Sequence, residues 1–197
     1  MLMVQLSMQS VEIIPYQERW SDDFELIASV LRTGLGSLAL RIDHIGSTAV
    51  PGLAAKDVID IQITVARMGE ETIEAMTRLG YNLVGRITQD HLPPGMACST
   101  WDWEKLFFHP PLGQRRTHTH VREQGRANQL YPLLFRDYLR AHPTAAQAYA
   151  ELKRRLAAQL ADPGTYPDVK DPAADLIYYA AREWAEYTGW NPGSSDA

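Results

Sequence analysis

The sequence has almost no cysteine, no long apolar run and no excess of positive charge. Cys98 is the single cysteine among 197 residues. One cysteine can form neither an intramolecular disulfide nor a zinc cluster, so we expect a protein of the reducing cytoplasm. No stretch approaches the roughly 20 apolar residues that span a bilayer, which predicts a soluble protein with no membrane partner.

The charge balance excludes a further class of partner. The formal net charge is -5 at pH 7. Duplex nucleic acid is bound largely through Lys and Arg contacts to phosphate, so we expect no duplex partner. A local basic pocket for a small molecule is compatible with this charge.

The spacing of apolar residues predicts a sheet in the first two thirds of the chain and helices in the last third. From Trp20 to Leu31 the apolar residues recur at the period of a helix, and Gly34 can end it. Strands are predicted over 38–45, 57–65, 81–87, 100–108 and 115–123, and further helices over 69–80, 131–142, 143–160 and 171–189. The pattern indicates an α+β or mixed α/β protein.

Length and composition suit one domain. With 45% hydrophobic residues, a chain of this length can bury one sizeable core. We expect an N-terminal extension over 1–10, one domain over 11–190 and a disordered tail, NPGSSDA, over 191–197. Within the domain, 11–125 would hold the sheet and 126–190 the helices.

Residues 44–65, HIGSTAVPGLAAKDVIDIQITV, carry an acid inside an apolar strand. Strand alternation puts Asp60 and Gln62 on one face and Ile61 on the other. A small-residue turn that holds phosphate, followed by an acid that holds a divalent metal, would account for this pattern. A half-wet sheet face, in which Asp60 bonds to the backbone or to an arginine, accounts for it equally well.

Longer stretches resemble the GrpB-like family of bacterial proteins: VEIIPYQERW, RIDHIGSTAVPGLAAKDVIDIQITV, RRTHTHV and FRDYLRAHPTAAQAYAELKRRLA, in this order between residues 11 and 190. That family resembles the nucleotidyltransferase superfamily, whose pattern is a Gly-Ser turn followed by a strand with two alternating acids. The resemblance implies a mixed β-sheet with flanking helices. It also implies a metal-dependent transfer of a nucleoside monophosphate from a nucleoside triphosphate to an unknown acceptor.

The family's residues carry over unevenly. Gly46 and Ser47, with Thr48 after them, match the phosphate-binding turn, and Asp60 matches the first acid, whereas Gln62 stands where the second acid belongs. Paired metals are held by carboxylates. An amide oxygen can also bind Mg²⁺ or Mn²⁺, but it does not neutralise the charge of the metal ion. Relatives fused to dephospho-coenzyme A kinase domains imply a nucleotide or a coenzyme A-related ligand.

Two histidines, His118 and His120, share one face of a predicted strand. If they converge with Asp60, the set of two His and one carboxylate would suit Mn, Fe, Ni or Zn better than Mg. Proton transfer, phosphate contact and a plain wet strand face are the alternatives.

Several other side chains are candidates for ligand contacts. Basic groups offer charge-assisted donors to phosphate, while solvated surface charge is the alternative for each, Arg115 above all. The phosphate candidates are His44, Lys56, Arg116 and Lys170; Trp101 and Trp103 could stack a base, and Asp102 or Glu104 could be a third acid.

Two other functions are open at this point. A protein of this fold without the second acid could bind a nucleotide or a phosphorylated metabolite and transfer nothing. A metal site built on the His pair and Asp60 could instead support phosphate hydrolysis.

Overall fold

The computed structural model describes residues 10–96 and 99–197, so Cys98 and most of the predicted N-terminal extension lie outside the described residues. The helices are α1 Arg19–Leu35, α2 Glu70–Arg78, α3 Ala127–Ala141, α4 Pro143–Gln159 and α5 Tyr166–Thr188. The strands are β1 Ala39–Ile45, β2 Ile59–Val65, β3 Asn82–Leu83, β4 Leu106–His109 and β5 Thr117–Glu123. This mixture of a sheet and helices confirms the predicted fold class. Across the described ranges, no helix is long and apolar enough to cross a membrane.

The five strands form one mixed sheet in the order β1-β2-β5-β4-β3. Neighbours β2 and β5 run parallel, and the other pairs run antiparallel. In this register Asp60 lies beside His118, and Ile45 at the end of β1 lies on its other side. The turn that follows β1 therefore begins next to Asp60.

Each face of the sheet packs against a different set of helices. The predicted alternation of β2 is correct, because Ile61 and its apolar neighbours pack with Phe24 and Leu31 of α1. On the opposite face Gln62 and Thr64 are fully buried, whereas the Asp60 side chain is partly exposed. Gln62 donates to the Gln129 carbonyl of α3 at 2.9 Å. Helix α3 therefore covers the polar face.

The region from 81 to 108 contains less strand than predicted. Residues Thr100–Trp103 form a 3₁₀ turn, so Trp101 and Trp103 do not share a strand face. The Trp101 carbonyl accepts from Arg126 at 2.8 Å, and the indole ring packs on that guanidinium group. The Glu104 carbonyl accepts from the side-chain amide of Asn128 in α3 at 2.8 Å. Side chains thus satisfy carbonyl groups that a strand would have offered to a neighbouring strand. The predicted strand over 81–87 shortens to β3.

The C-terminal segment binds the free edge of β1, in contrast to the disordered tail expected over 191–197. The Ile42 amide donates to Ser195 Oγ at 2.8 Å, and the His44 amide donates to Asp196 Oδ2 at 2.9 Å. Arg136 also donates to Asp196 Oδ2, at 2.7 Å. An edge strand leaves backbone groups unpaired, and short polar side chains can satisfy them.

Replacing Asp196 with alanine is expected to lower the free energy of unfolding by about 1 to 3 kcal/mol, because the variant removes the side-chain acceptor of a strand amide and one of the acceptors of a buried arginine. Urea unfolding measures this loss. Ser194→Ala is the matched control, since the contact made by Ser194 uses its backbone carbonyl. Equal midpoints for the two variants would show that the segment does not stabilise the edge.

Candidate functional site

A cavity of about 480 Å³ lies between the polar face of the sheet and helices α3, α4 and α5. Basic side chains outnumber acidic ones in its wall, although the whole chain is acidic. The ionisable groups are Lys56, Lys105, Arg122, Lys153 and Lys170; Asp60, Asp90 and Asp171; and His91, His118 and His120. Such a wall concentrates positive potential and favours an anionic ligand.

Asp60 and His118 form a hydrogen-bonded pair at the cavity wall. His118 Nδ1 lies 3.0 Å from Asp60 Oδ1, and both side chains are about one third exposed. The structure thus brings together Asp60 and His118, two of the three side chains that the sequence predicted as one set of metal ligands. A carboxylate at Nδ1 holds the ring so that Nε2 can accept a proton.

Gly46 is required by its contact with Asp60. Its φ of 71° and ψ of -169° lie in a region that only glycine adopts readily. A Cβ atom at this position would lie 2.3 Å from Asp60 Oδ2. The backbone of the turn therefore lies too close to the Asp60 carboxylate for any side chain at position 46.

Substituting alanine at Gly46 is expected to destabilise the protein and displace Asp60. Gly52→Ala is the control, because Gly52 also has positive φ, at 77°, but its added Cβ would meet nothing within 4 Å. The control should lose about 1 to 2 kcal/mol from backbone strain, and Gly46→Ala should lose about 1 to 3 kcal/mol more from the clash. Thermal unfolding of both variants measures the difference, and equal losses would contradict the close approach.

Lys153 was missed by the sequence prediction and is the main cation at the turn. Its ammonium group donates to Ser47 Oγ at 2.8 Å and to the Ala54 carbonyl at 2.6 Å. Only 3% of the residue is exposed, and no carboxylate in the described chain forms an ion pair with it. Burial, with the nearby Lys170 ammonium, lowers the pKa of Lys153 to about 7. A buried ammonium without a carboxylate is expected to bind an anion.

A signal for Lys153 was present in helix α4. The buried positions Ala146, Tyr149, Ala150 and Lys153 have the spacing of one helix face. Lys153 thus lies in the apolar stripe of the helix, which indicates burial. It is also the first of three consecutive basic residues, a pattern that is typical of a solvated surface.

Two predicted phosphate contacts, Lys56 and Lys170, line the cavity. Lys56 Nζ lies 4.0 Å above the centre of the Tyr166 ring, and burial and Lys170 lower the pKa of Lys56. Lys170 Nζ lies 3.4 Å from Asp171. Helix α5 begins five residues earlier than the predicted start at 171, and this first turn brings Lys170 to the wall.

Two predicted arginines do not face the cavity. Arg116 is exposed and absent from the wall, so the structure does not place it for the predicted phosphate contact. Arg115 pairs with Asp57 at 2.6 Å and with Asp23 at 2.7 Å. Arg115 is therefore paired within the protein, which differs both from the predicted phosphate contact and from the alternative of a solvated surface charge.

His44 supports the turn from behind instead of lining the cavity. Its Nε2 lies 3.0 Å from Thr48 Oγ1, which donates to the Val58 carbonyl. The ring stacks on Phe24 with centroids 4.8 Å apart. Burial lowers the pKa of His44 to about 4, so the ring is neutral. His44 and Thr48 thus bond to each other, and Thr48 also donates to a backbone carbonyl. Thr48 lines the cavity, whereas His44 does not.

Gln62 is enclosed in a polar cluster. Its amide nitrogen donates to the Gln129 carbonyl, and its Oε1 accepts from Arg122 at 2.7 Å. Arg122 also binds both oxygens of Asp90 at 2.8 Å, and Lys105 binds Asp90 at 2.6 Å. The Arg122 guanidinium thus contacts the side chain at the position that the resemblance gave to a second acid.

The residues present do not fit the predicted metal sets. Gln62 has no free oxygen towards the cavity, and His120 lies 3.4 Å from an Arg122 nitrogen. Burial, Arg122 and Lys105 lower the pKa of His120. The predicted third acids, Asp102 and Glu104, do not line the cavity. Among the described residues, no three or more His, Cys, Asp or Glu are arranged to hold a metal ion. Within residues 10–96 and 99–197, neither a two-metal site nor a site of two His and one carboxylate is arranged.

Comparison with known proteins decides the family. The GrpB protein family model matches residues 10–179. The chain belongs to the GrpB family. The resemblance inferred from the sequence motifs is therefore confirmed, and it covers nearly the whole chain.

Relatives of this GrpB chain differ in length. A dephospho-CoA kinase of Mycolicibacterium paratuberculosis is 37% identical over 95% of this chain and 50% of its own length. The UPF0157 protein YqkA of Bacillus subtilis is 35% identical over 89% of this chain and 48% of its own. The chain thus spans about half the length of these relatives. The crystal structure of the conserved protein GrpB from Enterococcus faecalis has a TM-score of 0.68 at 29% identity, over 88% of this chain and 99% of that chain.

Proposed function

We propose that the cavity binds a nucleoside triphosphate or a coenzyme A-type nucleotide, with its phosphates beside the Gly46–Ser47 turn. Lys153 carries this proposal, because it is a buried ammonium group that contacts Ser47 and has no carboxylate partner among the described residues. Phosphate oxygens accept charge-assisted hydrogen bonds from such groups. Lys56 and Lys170 add positive charge at the same end of the cavity.

Aromatic side chains support a ligand that carries a ring as well as phosphate. The wall contains five of them: Trp103, Tyr131, Phe135, Tyr149 and Tyr166. Flat rings bind a nucleobase by stacking without selecting one base. The names of the mycobacterial relatives, dephospho-CoA kinases, agree with a nucleotide-containing ligand.

For a nucleoside triphosphate in this cavity, the reaction that we propose is nucleotidyl transfer to an acceptor hydroxyl. The acceptor oxygen would form a bond to the α-phosphorus, and the bond from that phosphorus to pyrophosphate would break. The hydroxyl proton would pass to His118 Nε2, because Asp60 occupies Nδ1 at 3.0 Å. Lys153 and Lys170 would neutralise charge on the leaving pyrophosphate.

Calorimetry and a product assay test the two parts of this proposal. ATP, GTP, coenzyme A and dephospho-coenzyme A are titrated with Mg²⁺, with Mn²⁺ and with EDTA. We expect at least one of them to bind with a Kd below about 100 µM. Pyrophosphate release is then measured across a panel of hydroxyl acceptors. Failure of every nucleotide to bind under all three conditions would refute the proposal.

A second candidate is a nucleotide-binding protein that transfers nothing. Gln62 favours it, since its oxygen is bonded to Arg122 in the place of the second acid. Nucleotide binding without pyrophosphate release across the acceptor panel would select this function.

A further inference from the structure

A second group of cations lines the cavity beyond the Asp60–His118 pair. Lys105 lies just before β4 and Arg122 lies on β5, whereas the Gly46–Ser47 turn follows β1. The order β1-β2-β5-β4 separates the turn from Lys105 by three strand spacings, about 14 Å. The pair that reacts in the proposed function therefore lies between two positively charged ends.

The second end holds two cations and one carboxylate. Asp90 accepts from Arg122 Nε at 2.8 Å and from Lys105 Nζ at 2.6 Å. Burial opposes ionisation of Asp90, but Arg122 and Lys105 hold its pKa far below the ordinary range. Burial and the same two cations keep His120 neutral by lowering its pKa. One positive charge therefore remains in excess.

Lys105 is the cation with spare donors. The Arg122 guanidinium is bonded to Asp90 and Gln62 and lies against His120, so its donors are engaged. The Lys105 ammonium has three N–H donors, and within the described part of the chain it donates one hydrogen bond, to Asp90. It is 9% exposed and lines the cavity. A buried ammonium with free donors and excess charge is expected to bind an anion.

We propose that Lys105 binds an anionic group of the acceptor, which is a small molecule with a carboxylate or a phosphate near its reacting hydroxyl. The assignment of this ligand as the acceptor rests on the proposed function, whereas the anion site itself does not. Trp103 and Tyr131, with ring centroids 6.0 Å apart, also line the cavity.

The test uses two substitutions at Lys105. Lys105→Met removes the hydrogen bond to Asp90 and leaves Asp90 and Arg122 as a neutral, hydrogen-bonded pair, so the cluster loses its excess charge. Lys105→Arg retains the charge. Each protein is saturated with α,β-methylene-ATP to fill the first end, and glycerol, glycerate and glycerol phosphate are titrated by calorimetry. We expect at least one anion to bind, glycerol not to bind, and Lys105→Met to weaken anion binding by at least about tenfold while Lys105→Arg retains it.

Several results would overturn this inference. They are equal binding of glycerol and the anions, anion binding that is unchanged in Lys105→Met, and absence of anion binding to the wild-type protein. Lys105→Gln replaces the methionine variant if the latter does not unfold cooperatively.

Failure here is distinguishable from failure of the proposed function. If the nucleotide analogue does not bind, the same anions are titrated into Lys153→Met, in which the first end has lost its main cation. If anion binding to this variant depends on Lys105, the anion site at Lys105 is supported, while the failure of the analogue to bind refutes the nucleotide function. If the nucleotide analogue binds and the affinity for anions does not change on substitution of Lys105, the proposed nucleotide function is supported and the anion site at Lys105 is refuted.

Discussion

Replacing His118 with glutamine is expected to lower the rate of pyrophosphate release by about 10² to 10⁴-fold, with nucleotide affinity almost unchanged. The imidazole accepts the acceptor proton in the proposed reaction, and glutamine fills similar space without a basic nitrogen. Asp60→Asn should lose a comparable factor, because the amide can donate to Nδ1 and so favour the wrong tautomer. Steady-state pyrophosphate release and calorimetry separate the rate from the affinity.

The control for this prediction is His109→Gln. His109 lies at the end of β4, is exposed and does not line the cavity. Its substitution should leave both rate and affinity unchanged. A His118→Gln protein that releases pyrophosphate at the wild-type rate would remove the histidine from the reaction, whatever the affinity for nucleotide.

Replacing Lys153 with methionine is expected to weaken nucleotide binding by about 100-fold, since it removes a desolvated, charge-assisted contact worth about 2 to 5 kcal/mol. Arg155→Met is the matched control, because Arg155 lies two residues further along α4, 70% exposed and paired with Glu151. Calorimetry gives both affinities. Equal effects of the two substitutions would show that Lys153 does not face the ligand.

The same lysine should make binding depend on pH. With a pKa of about 7, Lys153 is charged below pH 7 and neutral above it in the free protein. A bound phosphate favours the ammonium form, so binding above pH 7 requires proton uptake, and affinity falls by up to about tenfold per pH unit. Lys153→Arg stays charged over this range, and its affinity should vary less between pH 7 and pH 9.

Local patterns predicted the parts of the site that lie on single strands. Alternation placed Asp60 and His118 on definite faces, and the Gly-Ser turn was visible in its residues. The parallel pairing of β2 with β5 joins residues 58 positions apart. Such long-range pairing is decided by packing of the whole sheet, so the sequence offered the meeting of Asp60 with His118 and His120 only as a condition.

The errors have one physical source, which is competition from distant side chains. Gln62 was assigned to a metal because nothing near it in sequence reveals that Arg122, on the neighbouring strand, occupies its oxygen. Trp101 has a high strand propensity, yet Arg126 takes its carbonyl group. The tail over 191–197 is polar and short, and it is ordered by the unpaired edge of β1.

That edge contact has a practical consequence for any recombinant form of the protein. Asp196 binds the His44 amide, and the His44 ring binds Thr48 in the turn beside Asp60. An affinity tag attached after Ala197 is expected to disturb this chain of contacts, which leads to the turn. Under the proposed function, such a tag should lower the affinity for nucleotides, and cleaving the tag should restore it.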